Sequence, residues 1–326
     1  MEKQKMITEH NSINPEGDRL KINRVYFIVN PAAKNERSRK LWRKIERSLN
    51  IPHTVFYTEH MGHAEAIVRD ILQKTTFRTL LVSVGGDGTL HEVINGAQGY
   101  PHAIITSIPA GSGNDFVRGV QKTKNVKEAL DLISQADSSH AAVDLGQFMI
   151  DGEQRYFVNS IGIGIDAEVI YAMNQSKIKK WFNIFKAGKL AYIYTFIKKV
   201  ITYKRSDMEI SIDGNEFYFK KVWFIVVANQ PFFGGGINIS PASKTSDGKF
   251  EVLAVHTISP LKLLLVLISV YWGGHLRIKH VDMFTGKRIR IRSLDSVRIQ
   301  ADGEIVGSTS VDIQVAERDL HVCQKK

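Results

Sequence analysis

The sequence predicts an α/β chain in two parts: an N-terminal parallel sheet flanked by helices, then a mainly antiparallel β-sandwich C-terminal domain. Three observations predict it. Apolar runs of strand length alternate with helix-period segments from Val25 to Ser134, the pattern of a parallel sheet joined by crossover helices. One run, Leu80-Leu81-Val82-Ser83-Val84, breaks into Gly85-Gly86-Asp87-Gly88 and resumes with Leu90, Val93, Ile94 and Ala97 at helical spacing. From about Ala142 the segments become strand-like, and Asp-Gly pairs at Asp151, Asp213 and Asp302 separate several of them, a strong hairpin signal.

In chain order, residues 1–22 are polar and mixed in charge, without an apolar core. They are expected to be a flexible tail, neither signal peptide nor membrane anchor. Val25 to Val29 reads as a strand stopped by Asn30-Pro31, and a basic helix follows over 37–49. Residues 55–58 form a second strand, and Ala64, Ile67, Val68, Ile71 and Leu72 mark an amphipathic helix. After the glycine turn come a strand over 103–108, the loop Pro109-Ala110-Gly111-Ser112-Gly113-Asn114-Asp115-Phe116 and a helix over 126–134. Ligands gather at the carboxyl ends of parallel strands. Asn30, Thr58, the glycine turn and Ser112 all fall at such ends.

The second part carries strands at 142–150, 155–163, 208–212, 217–228, 250–255, 288–291 and 297–301. Helices near 186–203 and 260–271 interrupt them. Residues 261–272 are the most apolar stretch, too short to span a hydrocarbon core and expected to be a buried helix. The domains expected are 23–141, completed by 312–326 at the end of the chain, and 142–311.

Composition narrows the class. Hydrophobic content of 43% with 24% charged residues is that of a soluble globular protein. Forty-four Lys and Arg against thirty-three Asp and Glu give +11, a balance that attracts nucleotides, nucleic acid or an anionic membrane. A lone cysteine, Cys323, excludes an internal disulfide framework and fits a reducing cytoplasm. His60, His63, His275 and His280 form no ligand set. There is no Gly-x-Ser-x-Gly elbow and no Walker loop.

The glycine turn carries the chemistry. A strand, a turn and a helix in that order bring free backbone N–H groups and a helix N-terminus to one point, which is an anion site. Glycine lets a phosphate approach the backbone closely, and Thr89 can cap the helix. The bland reading is a tight turn that holds nothing. Asp87 between the glycines weighs against it, because a carboxylate beside phosphates needs a metal ion or a donor hydroxyl between them.

Gly85-Gly86-Asp87-Gly88-Thr89 with Glu92 and Asn95-Gly96, followed by the 109–116 loop, resembles the catalytic domain of the diacylglycerol kinase and sphingosine kinase superfamily, over nearly the whole chain from Val25. The first motif alone is shared with NAD kinases; the second selects lipid kinases. The resemblance implies an ATP-binding α/β domain and a β-rich lipid-substrate domain that closes a cleft over it. It places Asn30, Pro31, Lys34, Thr58, Gly85, Gly86, Asp87, Gly88, Thr89, Leu90, His91, Glu92, Ser112, Gly113, Asn114 and Asp115 around ATP, with Asp87 and Asp115 holding magnesium or ordering the phosphates. The usual Asn-Pro-x-Ser-Gly is here Asn30-Pro31-Ala32-Ala33-Lys34, so the Ser and Gly are absent, and Lys34 stands for the lysine that follows that motif.

Three further features follow. Asp302-Gly303-Glu304 corresponds to a family triplet placed against the ATP site, and makes Asp302 and Glu304 the candidate catalytic base and its partner, in either order. The competing reading is a plain hairpin, since Asp-Gly occurs five times and Asp151-Gly152-Glu153 repeats the triplet. Lys244, Asp247 and Lys249 lie in a segment resembling the family's structural magnesium site, the lysines offering backbone carbonyls; its alternative is a simple turn. Residues 169–206 hold nine Lys or Arg and no Asp or Glu among Tyr171, Trp181, Phe182, Phe185 and other aromatics, suited to peripheral contact with an anionic membrane rather than nucleic acid.

The function expected is an ATP- and magnesium-dependent lipid kinase, cytoplasmic and peripherally membrane-associated, acting on a lipid hydroxyl, most simply diacylglycerol giving phosphatidic acid. The alternatives are an NAD kinase-like phosphotransferase and a non-catalytic nucleotide-sensing membrane-binding protein. The lipid itself and the oligomeric state, a homodimer included, stay open.

Overall fold

The computed structural model describes residues 21–33, 37–111, 113–175 and 188–325. The expected tail through residue 20, Lys34, Ser112, and Trp181, Phe182 and Phe185 of the basic aromatic segment lie outside them.

The first part is a parallel sheet in the order β2 (Thr54–Tyr57), β1 (Arg24–Val29), β3 (Thr79–Gly85), β4 (Ala103–Pro109). Every residue of β3 is buried, which is why the sequence shows a continuous apolar run and not alternation. Its side chains divide by parity. Leu80, Val82 and Val84 pack with Trp42 of α1 (Arg37–Glu46) and Leu132 of α4 (Val126–Ser134). Leu81 packs with Val68 of α2 (His63–Gln73) and Val93 of α3 (Asp87–Gly96) on the other face.

The second part begins with β5 (His140–Ile150), β6 (Glu153–Phe157), β7 (Ser160–Gly164), α5 (Ile165–Gln175), α6 (Gly188–Thr202), β8 (Ser206–Ile212) and β9 (Asn215–Ala228). A short hairpin β10 (Phe232–Phe233) and β11 (Ile237–Asn238) precedes β12 (Phe250–His256) and α7 (Pro260–Ser269). Strands β13 (Val281–Gly286), β14 (Arg288–Arg292), β15 (Arg298–Ala301), β16 (Glu304–Ser308) and β17 (Val311–Cys323) complete the chain. Apart from β10–β11, one ladder of 15 strands joins both parts. In the second part it folds round a core that includes Phe157, Ile163, Ile210, Ile225, Val252 and Ile299, the sandwich the alternation predicts.

The Asp-Gly turns behave as predicted. Asp151-Gly152, Asp213-Gly214 and Asp302-Gly303 each place both residues at positive φ and close the β5–β6, β8–β9 and β15–β16 pairs. Strand β17 serves both parts: Val311 to Gln314 pair antiparallel with β14, and His321 and Val322 pair parallel with β4. Between them Ala316 and Leu320 bracket a bulge, where Arg318 has φ 51°.

Two sequence expectations are corrected. The strand read over 155–163 is two strands, because the N–H groups of Val158, Asn159 and Ser160 go to the Asp302 carboxylate. The 261–272 helix is covered on one side only. Leu263, Val266 and Val270 are buried, whereas Leu261, Leu265, Ile268, Tyr271 and Trp272 are exposed. Uniform apolarity predicts burial all round, but among the described residues only the sheet side has a partner. Among the described residues no helix is long and apolar enough to cross a membrane.

Asp144 joins three segments where the parts meet. It is 1% exposed; its carboxylate accepts Gly248 N–H at 2.8 Å and Arg318 N–H at 2.9 Å, and its own N–H donates to Thr245 carbonyl at 2.7 Å. Asp144→Ala strands one buried and one part-buried donor and is expected to cost about 2–4 kcal/mol, read as a lower urea midpoint with unchanged slope.

Candidate active site

Strand β3 delivers the glycine turn to the carboxyl edge of the parallel sheet. Gly85 ends the strand, Gly86 is extended (φ −100°, ψ −173°), and α3 begins at Asp87. A Cβ on Gly111 would lie 2.4 Å from Gly86 Cα, and a Cβ on Gly85 would lie 2.5 Å from Thr89 Oγ1. The glycines are therefore packing requirements: Gly86 and Gly111 let the two motif loops touch backbone to backbone, and Gly85 leaves room for the Thr89 side chain. Thr89 does not cap α3. Its hydroxyl accepts the Asn30 side-chain amide at 3.0 Å, while Asn30 Oδ1 accepts Ala32 N–H at 3.1 Å. Asn30 at the end of β1 is thus tied to the turn.

Asp87 turns back toward the second loop. Its Oδ2 accepts Asn114 N–H at 2.7 Å and its Oδ1 accepts Asp115 N–H at 3.0 Å. Asn114 sits at φ 56°, a conformation asparagine tolerates. Asp115 Oδ2 accepts Gly235 N–H at 2.9 Å from the β10–β11 hairpin, and Arg118 Nη1 lies 3.4 Å from Oδ1. Burial, then the Asp115 charge, raises the Asp87 carboxyl to about 7. Burial likewise raises Asp115. Two carboxylates in one desolvated site offer oxygen ligands of the kind a hard divalent cation takes.

From the opposite side comes the β15–β16 turn. Asp302 is 6% exposed. Its Oδ1 accepts Asn159 N–H at 2.8 Å and Ser160 N–H at 3.3 Å; its Oδ2 accepts Val158 N–H at 3.0 Å. His91 Nδ1 lies 3.1 Å from the same Oδ2, so the imidazole donates to the carboxylate from α3. Glu304 reaches the glycine turn: a Cβ on Gly88 would lie 2.3 Å from its Oε1. The repeat of the triplet, Asp151-Gly152-Glu153, is exposed throughout. Gln300 braces the turn, its Oε1 accepting Gly303 N–H at 2.7 Å and its Nε2 donating to Asp166 Oδ2 at 3.3 Å. Burial pushes Asp166 up to about 6.

Several residues named around ATP have other partners here. Leu90 is in the core. Glu92 Oε2 accepts Ala64 N–H at 2.9 Å and so caps the N-terminal turn of α2. Asn95 pairs its side-chain amide with both backbone groups of Tyr156 at 3.0 Å, and a Cβ on Gly96 would lie 2.6 Å from Glu65 carbonyl; this part of the motif is packing. Thr58 is buried at the end of β2, its N–H on Val29 carbonyl. Gly113 lies against Asp87, and Pro31 follows Asn30 in a turn. In the third segment Lys244, Asp247 and Lys249 are exposed, Asp247 Oδ1 accepts Lys249 N–H at 3.2 Å, and Asp144 holds the loop. Among the described residues no group of three or more His, Cys, Asp or Glu could hold a metal.

Sequence reasoning missed Gly234-Gly235-Gly236 and Asp166. The glycine triplet has positive φ throughout (59°, 92° and 101°) and brings the β10–β11 hairpin to Asp115. Three glycines between Phe233 and Ile237 were its visible signal. Asp166 had none, being one acid among many until the fold buries it.

Known proteins match this arrangement. Residues 24–148 match the diacylglycerol kinase catalytic domain, and residues 159–324 the YegS C-terminal NAD kinase beta sandwich-like domain. The chain is 32% identical over 310 residues to the Bacillus subtilis (strain 168) protein named "Putative lipid kinase YtlR", covering 91% of this chain and 98% of that one. It is 26% identical over 250 residues to the diacylglycerol kinase of the same strain, covering 76% and 78%. A solved Bacillus anthracis str. Sterne chain shares the fold with a TM-score of 0.74 at 22% identity, over 98% of this chain and 99% of that chain.

Two outcomes are expected. Gly88→Ala improves local helix propensity but displaces Glu304, so thermal stability should hold while turnover falls at least about tenfold. Asp87 binds a proton more tightly folded than unfolded, so wild-type stability falls as pH rises from about 4 through about 7 and is then level. Metal-free Asp87→Asn should therefore match wild type near pH 4 and exceed it by about 1–3 kcal/mol near pH 8, measured by melting at each pH.

Proposed function

Because the chain belongs to the diacylglycerol kinase-type lipid kinases, and is a kinase, we propose that it uses ATP and magnesium to phosphorylate a lipid hydroxyl, most simply that of diacylglycerol to give phosphatidic acid. One observation carries this reading: the Asp302–Glu304 turn of the β-rich part meets the glycine turn of the parallel-sheet part, through His91–Asp302 at 3.1 Å and Glu304 against Gly88. A donor nucleotide over 85–89 and an acceptor beside Glu304 share one cleft.

The residues divide the work. Backbone N–H groups at the start of α3 face the phosphates, where the helix dipole favours negative charge. Asp87 and Asp115 would hold magnesium, which when bound offsets charge on the phosphoryl oxygens. Asp302 already accepts three backbone N–H groups and His91; with both oxygens so engaged it serves as the anchor of the turn. Glu304, two residues on, takes the proton of the lipid hydroxyl as its oxygen bonds to the γ-phosphorus and the bond to the ADP oxygen breaks. The substrate's bilayer and the +11 charge support peripheral association with an anionic membrane surface, at the cytoplasmic side where ATP is found.

Incubation with labelled ATP and either a lipid panel or NAD tests the reaction class: label on a lipid is expected, and label on NAD alone overturns it. Glu304→Gln should lower kcat about a hundredfold or more with ATP affinity within about threefold. Asp302→Asn should lower stability as well as rate. A fully active Glu304→Gln beside a stable, inactive Asp302→Asn would move the base to Asp302.

A further inference from the structure

The helix α7 and the 3-10 turn that follows, Val270–Trp272, present an exposed apolar face that no other element covers among the described residues. Its inner residues, Leu263, Val266 and Val270, pack on Trp223, Leu253 and Val255, on the face of β9 and β12 away from the sandwich core. Outward, Leu261, Leu265, Ile268 and Trp272 follow at spacings of four, three and four. They are 70%, 56%, 55% and 69% exposed, and Tyr271 beside them is 76% exposed. Helix α6 packs into the same core through Phe196 and Val200 and carries a second outward row, Ile193, Ile197 and Ile201.

We propose that this face docks on the surface of an anionic phospholipid bilayer, with α7 lying in the interface. The charge pattern selects that occupant. From Thr257 to Val281 there is no Asp or Glu, while Lys262, Arg277 and Lys279 are exposed. A second copy of the chain on this face would bring these cations together, and the bordering acid, Asp282, is already on His256 at 2.7 Å. Lipid phosphates meet them directly. The side chains are also graded as an interfacial helix requires: Leu261, Leu265 and Ile268 enter the acyl boundary, and Tyr271 and Trp272 sit at headgroup level. The element cannot span, so it lies flat. The sequence located membrane contact in the basic aromatic segment; the structure adds α7, whose apolarity read as core. The choice of bilayer rests on the lipid-kinase reading, which makes the acceptor a membrane lipid.

Vesicle flotation tests it, with the full chain, using phosphatidylcholine alone and phosphatidylcholine with an equal part of phosphatidylglycerol. Wild type should float with the anionic vesicles and far less with the neutral ones. Leu265→Gln/Trp272→Gln, two exposed positions whose exchange spares the fold, should bind anionic vesicles about a hundredfold more weakly. Equal binding by both proteins, equal binding to both vesicle types, or a wild-type dimer that the variant dissolves would overturn the proposal. Phosphorylation of diacylglycerol in detergent micelles separates the two readings. Equal micellar rates with lost flotation supports both; α7-dependent flotation without micellar activity keeps the docking face and rejects the substrate.

Discussion

The Asp302 carboxylate is the interaction on which the rest of the site depends. Four donors from two separate regions of the chain converge on it: Val158, Asn159 and Ser160 from the break between β6 and β7, and His91 from α3. A buried carboxylate is tolerated only when hydrogen-bonded, so these contacts are obligatory and fix several things together. They end one strand and start another, hold the β15–β16 turn at positive φ, and press that turn against the helix that begins at the glycine loop. Glu304 then reaches Gly88 by connectivity, two residues beyond the anchor.

The glycine-turn side is built on a different constraint, the absence of side-chain volume. Gly86 and Gly111 bring the two motif loops within backbone contact, and that closeness points Asp87 at the amides of Asn114 and Asp115. The resulting carboxylate pair sits in a desolvated spot, which explains the raised Asp87. Packing thus generates the electrostatics. The glycine hairpin at 234–236 works instead through positive φ, which turns Gly235 N–H onto Asp115.

Much of this was legible in the linear chain, and the failures share a cause. The parallel sheet followed from continuous apolar runs, and three hairpins from Asp-Gly pairs, because strand burial and turn conformation are local properties. The split at Val158–Asn159 was invisible because the competing acceptor lies more than 140 residues away. Glu92, Asn95 and Gly96 read with the phosphate motif yet serve α2 and β6, since a motif records which residues belong together and not what each touches. Residues 261–272 read as core because hydropathy reports what a helix can bury, not how many sides are covered.

By itself the sequence determined the class of fold, the strand–turn–helix at Gly85–Asp87 and the list of carboxylates from which a kinase site could be assembled. Backbone conformation and periodicity are set within a few residues, so local pattern suffices for them. Only the tertiary structure distinguishes the surroundings of Asp302-Gly303-Glu304 from those of Asp151-Gly152-Glu153, two identical triplets whose Asp and Gly both sit at positive φ. One carboxylate is buried against four donors and the other is left in solvent. That difference lies in what the rest of the chain brings to each turn, and no local pattern contains it.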